Sequence, residues 1–131
     1  MTTELYMLSF AAILGIIQLL LAAQASTAQR GAKWNMSPRD QKPPELTGVA
    51  GRLDRAYKNF METFPIFVAA IAVVHLANRL GPISTWGAIV YLTARVIYVP
   101  LYAAGIPGIR SLVWLVSLVG IGMVLYAGLV S

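Results

Sequence analysis

Apolar residues dominate the chain in four long stretches, roughly Leu5 to Ala28, Phe60 to Leu80, Ile83 to Ala104 and Ile109 to Val130. Short polar breaks and one long loop separate them. Each stretch is close to the ~20 residues that a helix needs to cross ~30 Å of hydrocarbon. The strict alternation that barrel strands require is missing, so the pattern predicts an all-α membrane protein, a single bundle of four transmembrane helices. The helices are expected at about 5–28, 57–80, 83–104 and 109–130, with a loop at about 29–56. The first stretch ends in small residues that resemble a signal cleavage point. Its flank, MTTE, has no Lys or Arg, and its apolar core exceeds the roughly 7–15 residues of a signal core, so it reads as a retained helix.

Two groups of polar positions break the apolar pattern. Arg55, Asn59 and Glu62 stand at i, i+4 and i+7 just before Pro65 and the run IFVAAIAVV, so on a helix they share one face. A carboxylate about a turn inside hydrocarbon costs a few kcal/mol and survives only when paired or when it lines a wet cavity. On the third stretch Tyr91, Arg95, Tyr98 and Tyr102 recur at intervals of four, three and four, again giving one face. Arg95 needs a carboxylate or carbonyl partner at that depth, and Glu62 is the nearest acid in register. The two stripes predict a pocket of Arg55, Asn59, Glu62, Arg95, Tyr98, Tyr102 and Arg110.

Structural roles compete for several of these residues. Tyr91 is expected in an aromatic belt at the membrane surface. An Arg95–Glu62 ion pair that only fixes helix register stands open beside a ligand role. Arg110 also serves as a topology signal, and Pro65 and Pro100 kink their helices or help to open the cleft.

Composition narrows the chemistry. The chain is 58% hydrophobic and 11% charged, against about 25% charged residues in a soluble domain. Cysteine is absent, which excludes thiol nucleophiles and disulfides, so any thiol chemistry uses a thiol brought by the substrate. The one histidine, His75, is expected to be packed or to contact a neighbouring helix rather than to act as a ligand, because a lone imidazole makes a poor metal site. Seven of the ten basic residues lie between Arg30 and Lys58, which places the loop in the cytoplasm and both termini on the far side. Topology thus accounts for the net charge of +5, and a nucleic-acid partner has no support. Pro38, Pro43 and Pro44 make the middle of the loop irregular, Trp34 suits an interfacial anchor, and GRLDRAYKN is expected to extend the second helix below the membrane plane. Cationic side chains with one acid at such a surface suit a small anionic molecule that carries an amino group, such as a zwitterionic peptide with two carboxylates.

The stretch GRLDRAYKNFMETFPIF resembles the signature of the membrane-associated proteins in eicosanoid and glutathione metabolism, the MAPEG family, through Arg55, Ala56, Asn59, Glu62 and Pro65. The later ARVIYVPLYAAGIPGIRS is similar to the family's third-helix segment, through Arg95, Tyr98, Tyr102 and Arg110. The resemblance implies a homotrimer of four-helix subunits, microsomal glutathione transferase-like, that binds glutathione as cosubstrate between neighbouring subunits near the cytoplasmic face. It gives Arg55, Asn59 and Glu62 the tripeptide, adds Tyr98, Tyr102 and Arg95 as contacts, and gives Arg110 the thiolate. Arg30, at the end of the first helix, would reach a neighbouring subunit's site. The partner substrate would be a lipophilic electrophile or a lipid hydroperoxide arriving through membrane lipid.

Thr63 stands where some members have tyrosine, and Pro100 where some leukotriene-forming relatives have glutamine. Both differences favour a general transferase over an eicosanoid-specialised enzyme. Two other classes compete: a non-catalytic binding or assembly protein of the same family, and a small proton-coupled multidrug transporter. The guanidinium groups around Glu62 argue against a site for cationic drugs. A bacterial inner membrane is the expected location.

Overall fold

The computed structural model describes residues 1–38, 40 and 44–130. Arg39, Lys42 and Pro43, which enter the reading of loop charge and loop shape, lie outside the described residues. The elements are α1 (Thr3–Arg30), α2 (Ala32–Asn35), α3 (Gly48–Leu76), α4 (Pro82–Ala103) and α5 (Ile109–Leu129). Four of them, α1, α3, α4 and α5, are long and apolar enough to cross a membrane. Their outer faces carry exposed Ile13, Ile16 and Leu20 on α1 and Leu112, Leu115 and Val119 on α5, as lipid contact requires.

Local chemistry sets the ends. The Thr2 hydroxyl accepts the Leu5 N–H and caps α1, while Glu4 in the first turn complements the helix dipole. The polar segment before the second apolar stretch is helical, as expected, so α3 begins at Gly48. It stops at Leu76, short of the expected Leu80. Asn78 takes a left-handed backbone with φ 56°, and the Arg79 N–H turns back to the Val74 carbonyl at 3.0 Å. Asparagine tolerates that conformation and ends a helix there. Pro82 opens α4, where the Ser84 hydroxyl accepts the Gly81 N–H at 3.0 Å.

α1 packs on α3 and α4, and α5 packs on α3 and α4, so α1 and α5 stand on opposite sides of the bundle while α3 meets α4 between them. α4 and α5 come close together at Gly87 and Gly120. A Cβ on Gly120 would lie 2.7 Å from both the Gly87 carbonyl and the Tyr91 nitrogen, so only glycine lets these helices touch. Gly122, in contrast, faces open space.

Phe67, Ala70, Ile71, Val74, Ala88, Tyr91 and Val124 form the core. Tyr91 is therefore no belt residue. Its ring stacks on Phe67 with centroids 4.1 Å apart, and its hydroxyl meets the Thr63 hydroxyl at 3.0 Å. Thr63 in turn donates to the Phe60 carbonyl at 3.1 Å, which leaves Tyr91 as the donor to Thr63. A tyrosine is held this deep because the hydroxyl of the facing helix satisfies it.

The bundle has two ends. The loop end carries α2, the first turns of α3, the last turn of α4 and the start of α5. The termini end carries Thr2 and Glu4, the α3–α4 turn and Leu129.

Candidate functional site

The loop end gathers the residues of the two polar stripes. Antiparallel packing of α3 on α4 is registered by the Thr63–Tyr91 contact, and one turn towards the loop the same register sets Asn59 opposite Arg95. Arg95 Nη2 donates to Asn59 Oδ1 at 2.9 Å. The expected Arg95–Glu62 ion pair does not form. Glu62 lies on the exposed side of α3, three residues round from Asn59, while Arg95 is buried at 1% exposure. An amide oxygen thus takes the place of the expected carboxylate.

Aromatic faces cover the guanidinium groups. Arg95 lies 4.3 Å from the Tyr98 ring centroid and 5.7 Å from that of Phe60. Tyr98 and Tyr102, one turn apart on α4, have centroids 5.6 Å apart. Above Tyr102 sit Arg110, from the first turn of α5, at 4.4 Å, and Arg55, from α3, at 6.0 Å. Each contact favours the cation electrostatically while leaving the N–H edges of the guanidinium free to donate. Among the described residues none of Arg55, Arg95 and Arg110 forms a salt bridge, whereas the exposed Lys58 pairs with Asp54 at 2.9 Å.

The chain enters α3 close against this cluster. A Cβ on Gly51 would lie 2.8 Å from the Leu46 carbonyl, so glycine lets the incoming segment press onto the helix. Arg30 Nε donates to the Pro44 carbonyl at 2.7 Å, and its guanidinium lies 5.0 Å from the Trp34 ring centroid. Arg30 and Arg55 line one cavity of about 360 Å³ with Glu45, Leu46, Gly51 and Asp54. Arg30 therefore adjoins Arg55 within the chain itself.

Two contributors escaped sequence reasoning. Arg52, read as loop charge, donates from Nε to the Ala103 carbonyl at 2.9 Å and so ties α3 to the end of α4 beneath the cluster. Its placement three residues before Arg55 was the available signal. Phe60, counted as the first residue of an apolar stretch, forms one wall around Arg95. His75 lies at the termini end, away from this site. Its Nε2 meets the Thr2 hydroxyl at 2.7 Å and its Nδ1 the Ile71 carbonyl at 2.8 Å, which makes it a helix-contacting residue as expected.

The arrangement offers two outer cations, Arg55 and Arg110, two phenol rings tilted 53° to each other, and an amide, Asn59, held by the buried Arg95, with a carboxylate, Glu62, at its edge. Such a set accepts a small anion of several charges and orients it through N–H and O–H donors. The model of the MAPEG family matches residues 7–130, nearly the whole chain. No curated protein and no solved structure matches it.

Proposed function

The chain belongs to the MAPEG family, and on that premise we propose that it is a membrane-bound glutathione transferase, with its site at the loop end of the bundle. In this reading Arg55, Asn59 and Glu62 hold the tripeptide, whose carboxylates suit the guanidinium groups and whose amino group suits Glu62. Tyr98 and Tyr102 contribute hydroxyl donors, Arg95 orients Asn59, and Arg30 closes the side nearest the loop. Arg110 faces the thiol. A free thiol has a pKa of about 8.5, and a guanidinium beside it raises the thiolate fraction at neutral pH. The thiolate sulfur then bonds to the electrophilic carbon of a lipophilic compound arriving from the bilayer. At an aryl halide the carbon–halogen bond breaks and halide leaves, and at an activated double bond the π pair moves to the next carbon and takes up a proton. Reduction of a lipid hydroperoxide is a second reaction open to the same thiolate: the O–O bond breaks to give the alcohol and a sulfenic acid, which a second glutathione converts to glutathione disulfide and water.

Assembly as a homotrimer, a cytoplasmic loop end and a bacterial inner membrane complete the proposal. The positive loop supports the orientation. The observation that carries the reading is the Arg110–Tyr102–Arg55 stack, two cations on one ring without a salt bridge to either. Unneutralised cations at a membrane surface are expected where an anionic ligand supplies the missing charge. Ultraviolet difference spectra of purified protein with glutathione test it. A thiolate band that disappears in Arg110→Ala is the expected result, and no band in the wild type overturns the catalytic reading.

A further inference from the structure

Two side chains deep in the bundle carry polar atoms that none of the described residues satisfies. Gln18 on α1 is 3% exposed, and both its amide oxygen and its amide nitrogen are unpaired. Arg95 is 1% exposed; Nη2 is used for Asn59, while Nε and Nη1 are unpaired. Buried polar groups are nearly always hydrogen-bonded, to protein or to ordered water, and an unpaired one lowers stability. Neither residue is explained by packing alone.

Independent contacts bring the two to one depth. α1 and α4 run parallel, with the Glu4 carboxylate accepting from the Ser84 hydroxyl. Counting along both helices from that contact leaves Gln18 and Arg95 about 5 Å apart in height at ~1.5 Å per residue. α1 and α3 run antiparallel, with Thr2 meeting His75, which sets Gln18 level with Asn59, the residue that holds Arg95. Phe60 joins the two neighbourhoods: its ring lies against Gly15, one turn from Gln18, and beside the Arg95 guanidinium.

We propose that Gln18 and Arg95 share a buried water site inside each subunit. One or two water molecules accept from Arg95 Nε–H or Nη1–H and from the Gln18 amide N–H, and donate to Gln18 Oε1. The donor set suits water better than an anion, because Gln18 supplies an acceptor as well as donors, and a buried water typically makes about three hydrogen bonds. Gln18 is then a positioning residue. It fixes the plane of Arg95 and, through Asn59, one wall of the ligand site. This last step rests on the glutathione reading above; the water site itself does not.

A thermal double-mutant cycle in detergent with Gln18→Leu, Arg95→Met and the pair tests the site. Gln18→Leu keeps the volume but strands the Arg95 donors, so its melting temperature falls by about 5 °C. That loss disappears in the Arg95→Met background. A rise in melting temperature for Gln18→Leu, or shifts that simply add, overturns the proposal. Should Gln18→Leu fail to fold, a wild-type structure resolving ordered water decides. Density within hydrogen-bonding distance of both side chains is expected, and a direct Gln18–Arg95 contact without water contradicts it. For the positioning role, the KM for glutathione rises about threefold to tenfold in Gln18→Leu while kcat stays unchanged; an unchanged KM removes that role. If the wild type does not bind glutathione, the proposed function fails while the melting cycle still reads the water site.

Discussion

At the termini end, polar side chains find their partners inside the chain. Glu4 accepts from Ser84 and Thr85, Thr2 meets His75, and Arg79 donates to the Leu129 carbonyl at 3.0 Å. At the loop end, Arg55, Arg95 and Arg110 have aromatic faces and a single amide oxygen in place of carboxylates. Both ends set charge or strong polarity beside hydrocarbon, where an unsatisfied group is unfavourable. The difference separates two uses of buried polarity. Saturated contacts lock helices together, whereas in the proposed function the outer ring-held cations, Arg55 and Arg110, keep their donors for a ligand.

Substitutions at the two ends should therefore fail in different ways. The largest effect is expected for Arg110→Ala: turnover with glutathione and an aryl halide falls about 100-fold, as when one donor to a developing anion is removed, with the melting temperature unchanged. Equal losses of activity and stability would erase the distinction between the ends. Glu4→Ala inverts the pattern. It removes the acceptor of Ser84 and Thr85 and should lower stability by about 2 kcal/mol, read by thermal unfolding in detergent, while glutathione affinity stays at the wild-type value.

Asn59→Ala belongs to both behaviours, because Asn59 supports Arg95 and, in the proposed function, holds the ligand. An affinity loss of about tenfold, or ~1.4 kcal/mol, together with a measurable drop in melting temperature would sharpen the comparison. A change in only one of the two would assign Asn59 wholly to one role. The smallest effect is expected for Thr63→Val, which removes the Tyr91 hydroxyl's partner in the core. Interhelical hydrogen bonds in membranes average about 0.6 kcal/mol, so unfolding should shift slightly and binding not at all.

Much of this was legible in the chain. Four apolar stretches of helical length predict the bundle, and the spacing of Arg55, Asn59 and Glu62 predicts a shared face because helical geometry is local. Partners across helices were harder to read. Charge alone points Arg95 to Glu62, yet the register that Thr63 and Tyr91 set brings Asn59 opposite it. Tyr91 looked like a belt residue for the same reason: a sequence shows how far along a span a tyrosine sits, but not the hydroxyl waiting on the next helix.

Glu4 illustrates a second limit. In the sequence it is only part of a flank lacking basic residues, and nothing within the first stretch announces Ser84, eighty positions later, as its partner. Gln18 is similar, an isolated amide in an apolar run whose depth relative to Arg95 follows only from contacts between helices. The Arg30–Arg55 cavity likewise depends on how the loop returns to α3 through Gly51. Resemblance supplied the ligand, whereas local periodicity supplied only the faces that would hold it.

The central claim is that the loop end, and not the termini end, keeps its cations for an anionic ligand. Isothermal titration of glutathione into detergent-purified protein tests this most directly, with wild type, Arg55→Ala and Glu4→Gln compared. Saturable binding that survives Glu4→Gln and is lost in Arg55→Ala is the predicted result. Absence of binding in the wild type, or binding that Arg55→Ala leaves intact, would contradict it.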